Sequence, residues 1–367
     1  MVGIGLLSYS AYLWHQPLFV FARHRSIQEG TTLLFALSMF SMLLAYVSWR
    51  FVEKPFRDKK LVSKKNLLIF SVAGSIGFAS IGLAGNYAIG YARQIEADKL
   101  EFLNYFDNSI PEMKYFEKEG IWGKFRYQCD FFDIQKYRDG KVTFVPLDSI
   151  ADKCFVRDDT MPYSVFLWGD SHAQQLYPGL QSSLPADWQI LQVTTSATYP
   201  KLNARENRSN YQEYSNWFAY KVIKDVKPDV VIVGQNARHK IGDMLEIGES
   251  LRSVGVKKVV FTGPTPKWTS HLPDIIASHL WNDPRRKTTV GLDEVNLAID
   301  RYIKENFPQS ETIRYVSIIA SLCDSNGCVT YLGDDKKTGI SSWDYGHLTP
   351  VASKFFVENS LLSEIAE

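Results

Sequence analysis

The hydrophobic positions of the sequence follow two different patterns along the chain. Three long apolar stretches, about residues 2–22, 31–51 and 67–89, contain no Asp, Glu or Lys. A helix needs about 20 residues to cross a bilayer, and each stretch has that length. We therefore predict three transmembrane helices, with a buried helix of a soluble domain as the alternative for such a stretch.

Beyond residue 90 the pattern is that of a soluble protein. Residues 90–160 are rich in aromatic and charged residues with weak periodicity, and we predict a connecting region there. From residue 163 onward, short β-branched runs alternate with helical segments, a pattern typical of a parallel sheet covered on both faces. We therefore predict a three-layer α/β domain over residues 161–367. The predicted strands begin near Tyr163, Gln189, Asp229, Lys257 and Ile313.

Charge is distributed unequally between these two parts. The 367 residues include 41 Lys plus Arg and 40 Asp plus Glu, a formal net charge of +1. Residues 1–89 hold nine of the basic and three of the acidic residues, so residues 90–367 carry a net negative charge. Because this second part shows no stripe of Lys and Arg, we expect no nucleic-acid partner.

The loop between the second and third apolar stretches fixes the expected orientation. Its acidic residues are only Glu53 and Asp58. Its basic residues are more numerous: Lys54, Arg57, Lys59, Lys60, Lys64 and Lys65. By the positive-inside rule this loop lies in the cytoplasm, and an odd number of crossings then places residues 90–367 outside. We expect a multi-pass protein of the cytoplasmic membrane whose soluble part lies in the periplasm or on the outer face.

All four cysteines lie in the part that is expected to be exported, where an oxidising compartment favours disulfides. Cys323 and Cys328 are close enough in sequence to close a short loop, which leaves Cys129 with Cys154. One disulfide with two buried free thiols is the alternative. No spacing of cysteines and histidines indicates a metal site, and we expect no bound cofactor.

A serine directly follows the first predicted strand. Ser171, in the run Gly-Asp-Ser-His, begins a helix whose first backbone amides favour a developing negative charge. Near the carboxyl terminus, Asp344 and His347 are three residues apart, and on a turn these two side chains point the same way. Asp344 would then fix the tautomer of His347, which takes the proton of Ser171. An N-cap is the alternative role for Ser171.

A third polar residue, Asn236, follows the middle strand of the predicted sheet. Its side-chain amide is placed to join the backbone N–H of Ser171 in binding the oxyanion of a tetrahedral intermediate. A turn-forming Asn is the alternative. Because ligands bind at the carboxyl ends of strands in parallel sheets, we predict a catalytic site at this edge, with Ser171, Asp344 and His347 as its catalytic residues.

The order of these motifs resembles the SGNH (GDSL-like) hydrolase family over about 200 residues. The run Leu-Trp-Gly-Asp-Ser-His at residues 167–172 and the later Asp344-x-x-His347 are most similar to SGNH domains fused behind acyltransferase family 3 membrane domains. The resemblance implies a second block whose Gly donates to the oxyanion. The matching loop here contains no Gly, so a backbone N–H near Ser196 or Ala197 replaces it, or the hole has two donors.

The membrane part resembles the end of the acyltransferase family 3 membrane domain. Its first stretch matches a Ser-Tyr-x-x-Tyr-Leu-x-His-x-Pro run that contains His15, and residues 51–57 match the hallmark Phe-Val-Glu-Lys-Pro-Phe-Arg. His15 is either a functional residue at membrane depth or part of an interfacial aromatic belt. Since that family has about ten helices, we expect residues 1–89 to be a partial membrane region, either from a longer protein or without its acyl-donor half.

The resemblance implies an enzyme that modifies polysaccharides at the cell surface. We expect an O-acyltransferase that carries an acyl group, acetyl in our expectation, on Ser171 to a hydroxyl of a polysaccharide such as O-antigen or peptidoglycan. The donor is expected to derive from acetyl-CoA, and the membrane and further acyltransferase helices are expected partners. Two alternatives stay open: an esterase that uses water as acceptor, and an inactive membrane-anchored glycan-binding fragment.

Overall fold

The computed structural model describes residues 2–25, 31–57, 63–92 and 97–366, in two compact units, Met1–Ala97 and Asp98–Glu367. In the first unit, helices Val2–Arg25, Thr31–Ser48 and Lys64–Ala92 fall on the three predicted apolar stretches. The second helix continues through a π-helical turn, Trp49–Glu53, into the short helix Lys54–Arg57. Residues 58–62 of the basic loop lie outside the described residues.

By length and composition, two described helical segments are suited to crossing a bilayer, Thr31–Phe56 and Leu68–Gly85. Helix Val2–Arg25 is not among them. The prediction of three transmembrane helices therefore has support for two stretches, and a third crossing stays a prediction.

The described buried residues of the first unit are small. The hydroxyl of Ser10 donates to the carboxylate of Glu53, which ties the first helix to the π-helical turn. Ser10, Ser41 and Ala45 are buried, whereas large apolar side chains such as Phe78 are exposed. This distribution is typical of helices that pack through small residues and present large apolar residues to lipid.

The second unit is built on a parallel sheet of five strands. In chain order its strands are β1 (Tyr163–Gly169), β2 (Trp188–Thr194), β3 (Val230–Gly234), β4 (Lys258–Thr262), β5 (Lys287–Thr288), β6 (Ile313–Val316), β7 (Cys323–Asp324) and β8 (Gly327–Val329). The large sheet has the order β2-β1-β3-β4-β6 with every neighbouring pair parallel, and β5, β8 and β7 form a small antiparallel sheet. The predicted α/β class and parallel sheet are confirmed.

Helices cover both faces of the large sheet, and β1 contributes to the core on each side. Its residues alternate, with Phe166 and Trp168 in the core of one face and Val165 and Leu167 in the core of the other. The first core contains side chains of helices Tyr211–Val226, Ile241–Ser253 and Glu294–Asn306. The second contains side chains of Tyr177–Ser183, Ile318–Leu322 and Pro350–Phe356.

The second unit also includes residues 98–160, over which we predict a connecting region. This segment consists of short helices and turns, which explains its weak periodicity; they are Ala97–Tyr105, Lys114–Glu119, Ile121–Lys124, Tyr127–Cys129, Ile134–Arg138 and Asp152–Cys154. Phe131 belongs to the core of one sheet face. Aromatic side chains such as Phe102 and Phe116 form a further core with Trp268 and Leu272.

Two disulfides join the pairs that the sequence analysis expects. Cys129 is bonded to Cys154 within residues 98–160. Cys323 is bonded to Cys328 and links β7 to β8. The remaining short helical segments of the unit are Ser171–Gln174, Leu272–Ile275, Ile276–Leu280, Lys336–Gly339, Val357–Leu361 and Ser363–Ala366.

Candidate active site

Ser171 lies at the carboxyl end of β1, an interior strand of the large sheet. Asp170 caps the short helix that begins at Ser171, because its carboxylate accepts the backbone N–H of His172 at 2.7 Å. A Cβ atom on Gly169 would lie 1.8 Å from the carbonyl oxygen of Gly234, so glycine is required for β1 and β3 to approach this closely. The chain therefore turns sharply from strand to helix at the serine.

Ser171, His347 and Asp344 form one continuous chain of hydrogen bonds. The Oγ atom of Ser171 lies 2.8 Å from Nε2 of His347, and Nδ1 of His347 lies 2.6 Å from Oδ2 of Asp344. The other carboxylate oxygen of Asp344 accepts the backbone N–H groups of Gly346 and His347, which fixes it in the turn. The structure thus brings together the three predicted catalytic residues, which come from opposite ends of the domain.

Burial and charge have opposite effects on the pKa values of His347 and Asp344. Burial by itself lowers the pKa of His347, but the charge of Asp344 and the hydrogen bond to it hold that pKa above its usual 6.5. Burial by itself raises the pKa of Asp344, but the charge of His347 and the hydrogen bonds to the carboxylate hold that pKa below its usual value. A negative Asp344 therefore stabilises the imidazolium that forms when His347 takes a proton.

Two further rings restrict the imidazole of His347. Trp343 stacks on it with 5.1 Å between ring centroids and an interplanar angle of 13°. The buried ring of His172 lies 4.5 Å away, and burial lowers the pKa of His172. His172 is therefore a neutral neighbour that packs against His347 without adding charge. The sequence analysis assigned it no role, although its place directly after Ser171 was a signal.

The candidate oxyanion donors differ in what their N–H groups already bind. The backbone N–H groups of Ser171 and Ala197 donate to no other described residue. In contrast, the N–H of Ser196 donates to Oδ2 of Asp130 at 3.1 Å. Of the two residues predicted as substitutes for the missing glycine donor, Ala197 is thus the one whose N–H is available. Ala197 also has a φ of 56°, a left-handed conformation that favours glycine.

Asn236 is held beside Ser171 by Asp170. Its backbone N–H donates to Oδ2 of Asp170 at 2.8 Å, and its side-chain Oδ1 is buried with no hydrogen-bond partner among the described residues. Burial raises the pKa of Asp170 to about 7, against the lowering effect of the backbone hydrogen bonds from Asn236 and His172. One carboxylate therefore connects the strand ends of β1 and β3.

Asp130, which the sequence analysis did not identify, anchors the loop after β2. Its buried carboxylate accepts the N–H and hydroxyl of Ser196 at 3.1 and 2.6 Å and the side-chain amide of Gln174 at 2.8 Å. Burial raises the pKa of Asp130 to about 6, although these hydrogen bonds lower it. Asp130 thus ties the helix of Ser171 to the loop of Ala197. Its position in a region without periodicity, far from the other motifs, gave no signal of this role.

The remaining predicted site residue, His15, belongs to the first unit. Its Nδ1 lies 2.8 Å from the carbonyl oxygen of Tyr12, one turn earlier in the same helix. A role for His15 at membrane depth stays a prediction. In the described ranges of the chain, no group of three or more His, Cys, Asp or Glu side chains is arranged to hold a metal ion.

Comparison with known proteins agrees with this architecture. Among solved structures, the chain is similar to the periplasmic domain of a lipopolysaccharide acetyltransferase from Salmonella ser. Paratyphi A. The two share 23% sequence identity and a TM-score of 0.53, over 67% of this chain and 97% of that one, which establishes a common fold. The comparison with curated proteins gives no match. The sequence model of the family described as "SGNH domain (fused to AT3 domains)" matches residues 136–359, more than half of the chain, and the chain therefore belongs to this family.

Proposed function

We propose that the protein is a membrane-anchored O-acyltransferase that transfers an acyl group, acetyl in our proposal, to a hydroxyl of a cell-surface polysaccharide. The observation that carries this proposal is the chain of hydrogen bonds from Ser171 through His347 to Asp344 at the carboxyl end of β1. Membership of the family of SGNH domains fused to AT3 domains supports it, as does the shared fold with a domain of a lipopolysaccharide acetyltransferase.

In the first step the acyl group moves to Ser171. Nε2 of His347 takes the hydroxyl proton while Oγ attacks the acyl carbonyl, so a carbon–oxygen bond forms and the carbonyl oxygen becomes negative. The N–H groups of Ser171 and Ala197 and the side-chain amide of Asn236 are the donors for that oxyanion. His347 then gives its proton to the departing group as the bond between this group and the acyl carbon breaks.

In the second step the acceptor regenerates the serine. The acceptor hydroxyl gives its proton to His347, and its oxygen attacks the carbonyl of the ester on Ser171. When the tetrahedral intermediate collapses, Oγ of Ser171 leaves and takes the proton back from His347. If water takes the place of the glycan hydroxyl, the same residues act as an esterase, so acceptor binding decides the outcome.

The proposal also assigns each part of the chain a place. Residues 161–367 act as the catalytic domain in the periplasm or outside the cell, and residues 90–160 join it to the cytoplasmic membrane and supply Asp130. The basic loop before the third apolar stretch supports this orientation. No cofactor is held by the enzyme; an acyl donor derived from acetyl-CoA is delivered through the membrane by acyltransferase helices.

Substitution of the nucleophile tests the proposal. In Ser171→Ala, we expect hydrolysis of 4-nitrophenyl acetate by the purified full chain to fall by about 10³-fold or more, because a serine nucleophile has no substitute. O-acetylation of the surface polysaccharide in the host should disappear as well. The exposed Ser182→Ala is the matched control and should behave as the unchanged protein. Unchanged surface O-acetylation in Ser171→Ala would contradict the proposal.

A further inference from the structure

We propose that the cavity between the loops after β2 and β3 binds one sugar residue of the acceptor glycan, an inference that rests on the proposed function. The cavity has a volume of about 320 Å³, at the small end of the range for ligand pockets. Tyr199 and Pro200 line it from the loop after β2, and Gln235 and Arg238 line it from the loop after β3. It therefore lies at the carboxyl edge of the sheet, where parallel α/β domains bind ligands.

Residues that line the cavity are close in sequence to two of the three candidate oxyanion donors. Tyr199 comes two residues after Ala197, and Gln235 directly precedes Asn236. The strands that carry these two loops lie on either side of β1 in the sheet. The loops meet where the guanidinium of Arg238 lies 4.1 Å from the centroid of the Tyr199 ring. A sugar held between them is therefore close to the strand end that carries the acylated serine.

The lining has the chemistry of a sugar site. Its floor is apolar and buried, formed by Met244, Ile247 and Phe261. Its rim is polar and exposed, formed by Arg238, Lys240, Asp243 and Glu246. A sugar ring has C–H groups that pack on an apolar floor and hydroxyls that bind donors and acceptors at a rim.

The rim side chains are free to bind such hydroxyls. Arg238, Lys240, Asp243 and Glu246 form no ion pair or side-chain hydrogen bond with another described residue. Lys201, farther along the rim, differs because it is paired with Glu213 at 3.0 Å. The rim offers two cations, which donate hydrogen bonds, and two carboxylates, which accept them. This set suits a sugar ring, whose hydroxyls both donate and accept hydrogen bonds, better than a phosphate group, which would require cations alone.

Backbone strain is concentrated in the same two loops. Six non-glycine residues of the described chain have positive φ, and three of them are Ala197, Asn203 and Arg238. Asn203 and Arg238 both line the cavity. Such conformations cost about 1–3 kcal/mol each and persist mainly at functional sites. Arg238, whose guanidinium lies over the Tyr199 ring, is one of these residues.

The proposed sugar site is tested by measuring how the acetyl group divides between transfer to a glycoside and hydrolysis to acetate. The purified full chain in detergent is given 4-nitrophenyl acetate together with methyl α-glucoside, methyl α-galactoside or methyl α-mannoside, and acetylated glycoside and free acetate are quantified by NMR. For the glycoside that accepts best, Arg238→Ala is expected to raise the KM of the glycoside about tenfold, the effect of losing one charged hydrogen bond. Asp243→Asn should raise it in the same direction. Arg301→Ala, an exposed arginine of helix Glu294–Asn306, should match the unchanged protein.

Each result then decides the inference. The inference is wrong if Arg238→Ala and Asp243→Asn both have the same glycoside KM as the unsubstituted protein. It is also wrong if the protein hydrolyses the ester but transfers the acetyl group to none of the three glycosides. These results differ from failure of the proposed function, in which Ser171→Ala would retain ester hydrolysis. A direct readout comes from the Ser171→Ala protein, to which the glycoside should bind about tenfold more weakly once Arg238→Ala is added.

Discussion

At the scale of single residues, His347 is the group whose charge decides whether the site can act. Asp344 on one side and Ser171 on the other occupy both ring nitrogens, so one tautomer is selected before any substrate binds. In the proposed mechanism, the neutral ring accepts the proton of Ser171, and the protonated ring gives a proton to the leaving group. The pKa of His347 therefore sets the lower limit of the working pH range.

The pH dependence of activity follows from this. Because the pKa of His347 lies above 6.5, kcat/KM for 4-nitrophenyl acetate should rise with pH through a midpoint above 6.5 and fall below it as the ring is protonated. Asp344→Asn removes the charge that raises this pKa, so the midpoint should move to lower pH and the plateau should fall about 10⁴-fold. A midpoint that stays in place in Asp344→Asn would show that Asp344 does not control the ring.

Asp130 offers a second test at the residue scale. In Asp130→Ala the N–H of Ser196 loses its acceptor and the side-chain amide of Gln174 loses one of its two acceptors, so the loop of Ala197 loses its anchor. We expect kcat to fall about 10²-fold, the size of a lost oxyanion donor, with little change in the KM of the ester. Asp130→Asn keeps one acceptor oxygen, so its kcat should fall less than that of Asp130→Ala. The exposed Asp139→Ala serves as the control, and a kcat loss of the same size there would rule out a specific role.

At the scale of elements, the site depends on how closely β1 approaches β3. Gly169 and Gly234 are paired across these strands, and each leaves room for the helix that carries Ser171. A Cβ atom on Gly234 would lie only 3.0 Å from the Cα atom of Ala173. The two glycines therefore set the position of the serine as much as the strand itself does.

Gly169→Ala tests this close approach. The added Cβ atom would overlap the carbonyl oxygen of Gly234 at 1.8 Å, so we expect a loss of about 3 kcal/mol or more in the free energy of unfolding. Gly242→Ala, at a helical position with no heavy atom within 4 Å of the new Cβ, should instead stabilise by up to about 1 kcal/mol. Urea unfolding followed by tryptophan fluorescence measures the free energy of unfolding of both variants. An equal change in the two variants would contradict the role of close approach at Gly169.

The elements also explain which parts of the fold were predictable. All five strands of the large sheet were predicted within a residue or two, because buried parallel strands leave continuous β-branched runs such as Val230–Gly234. The helix Tyr211–Val226 lies between the second and third strands, where the predicted alternation calls for a helical segment. The small sheet was not predicted, since Lys287–Thr288 and Cys323–Asp324 are too short to show a period.

The same reasoning applies to the site. Ser171, Asp344 and His347 were found because each stands in a short motif next to a strand end or a turn. Asp130 acts through contacts made only when distant segments pack, so no local pattern marks it. His172 was marked only by its place directly after Ser171. The strand order β2-β1-β3, which places the loop of Ala197 beside Ser171, also depends on packing and not on sequence spacing.

At the scale of the whole molecule, the two disulfides are expected to stabilise the second unit unequally. The bond between Cys129 and Cys154 spans 25 residues, and the bond between Cys323 and Cys328 spans five. By chain entropy, removal of the first should cost about 3.5 kcal/mol of unfolding free energy and removal of the second about 2 kcal/mol. Pairwise Cys→Ser variants unfolded in urea measure this. An equal cost for both pairs would contradict the entropic account.

The position of β1 inside the sheet also bears on how the molecule opens. Its backbone is bonded on both sides, to β2 and to β3, so its amide protons can exchange with solvent only when the domain unfolds globally. Asn203 and Arg238, in the loops after β2 and β3, donate no backbone hydrogen bond to another described residue, so we expect these parts of the loops to open locally. Deuterium labelling of the native protein should therefore mark the cavity-lining parts of these two loops within minutes, while the backbone amides of β1 stay protonated. Local opening of these loops would then let the proposed glycan acceptor enter without displacing Ser171.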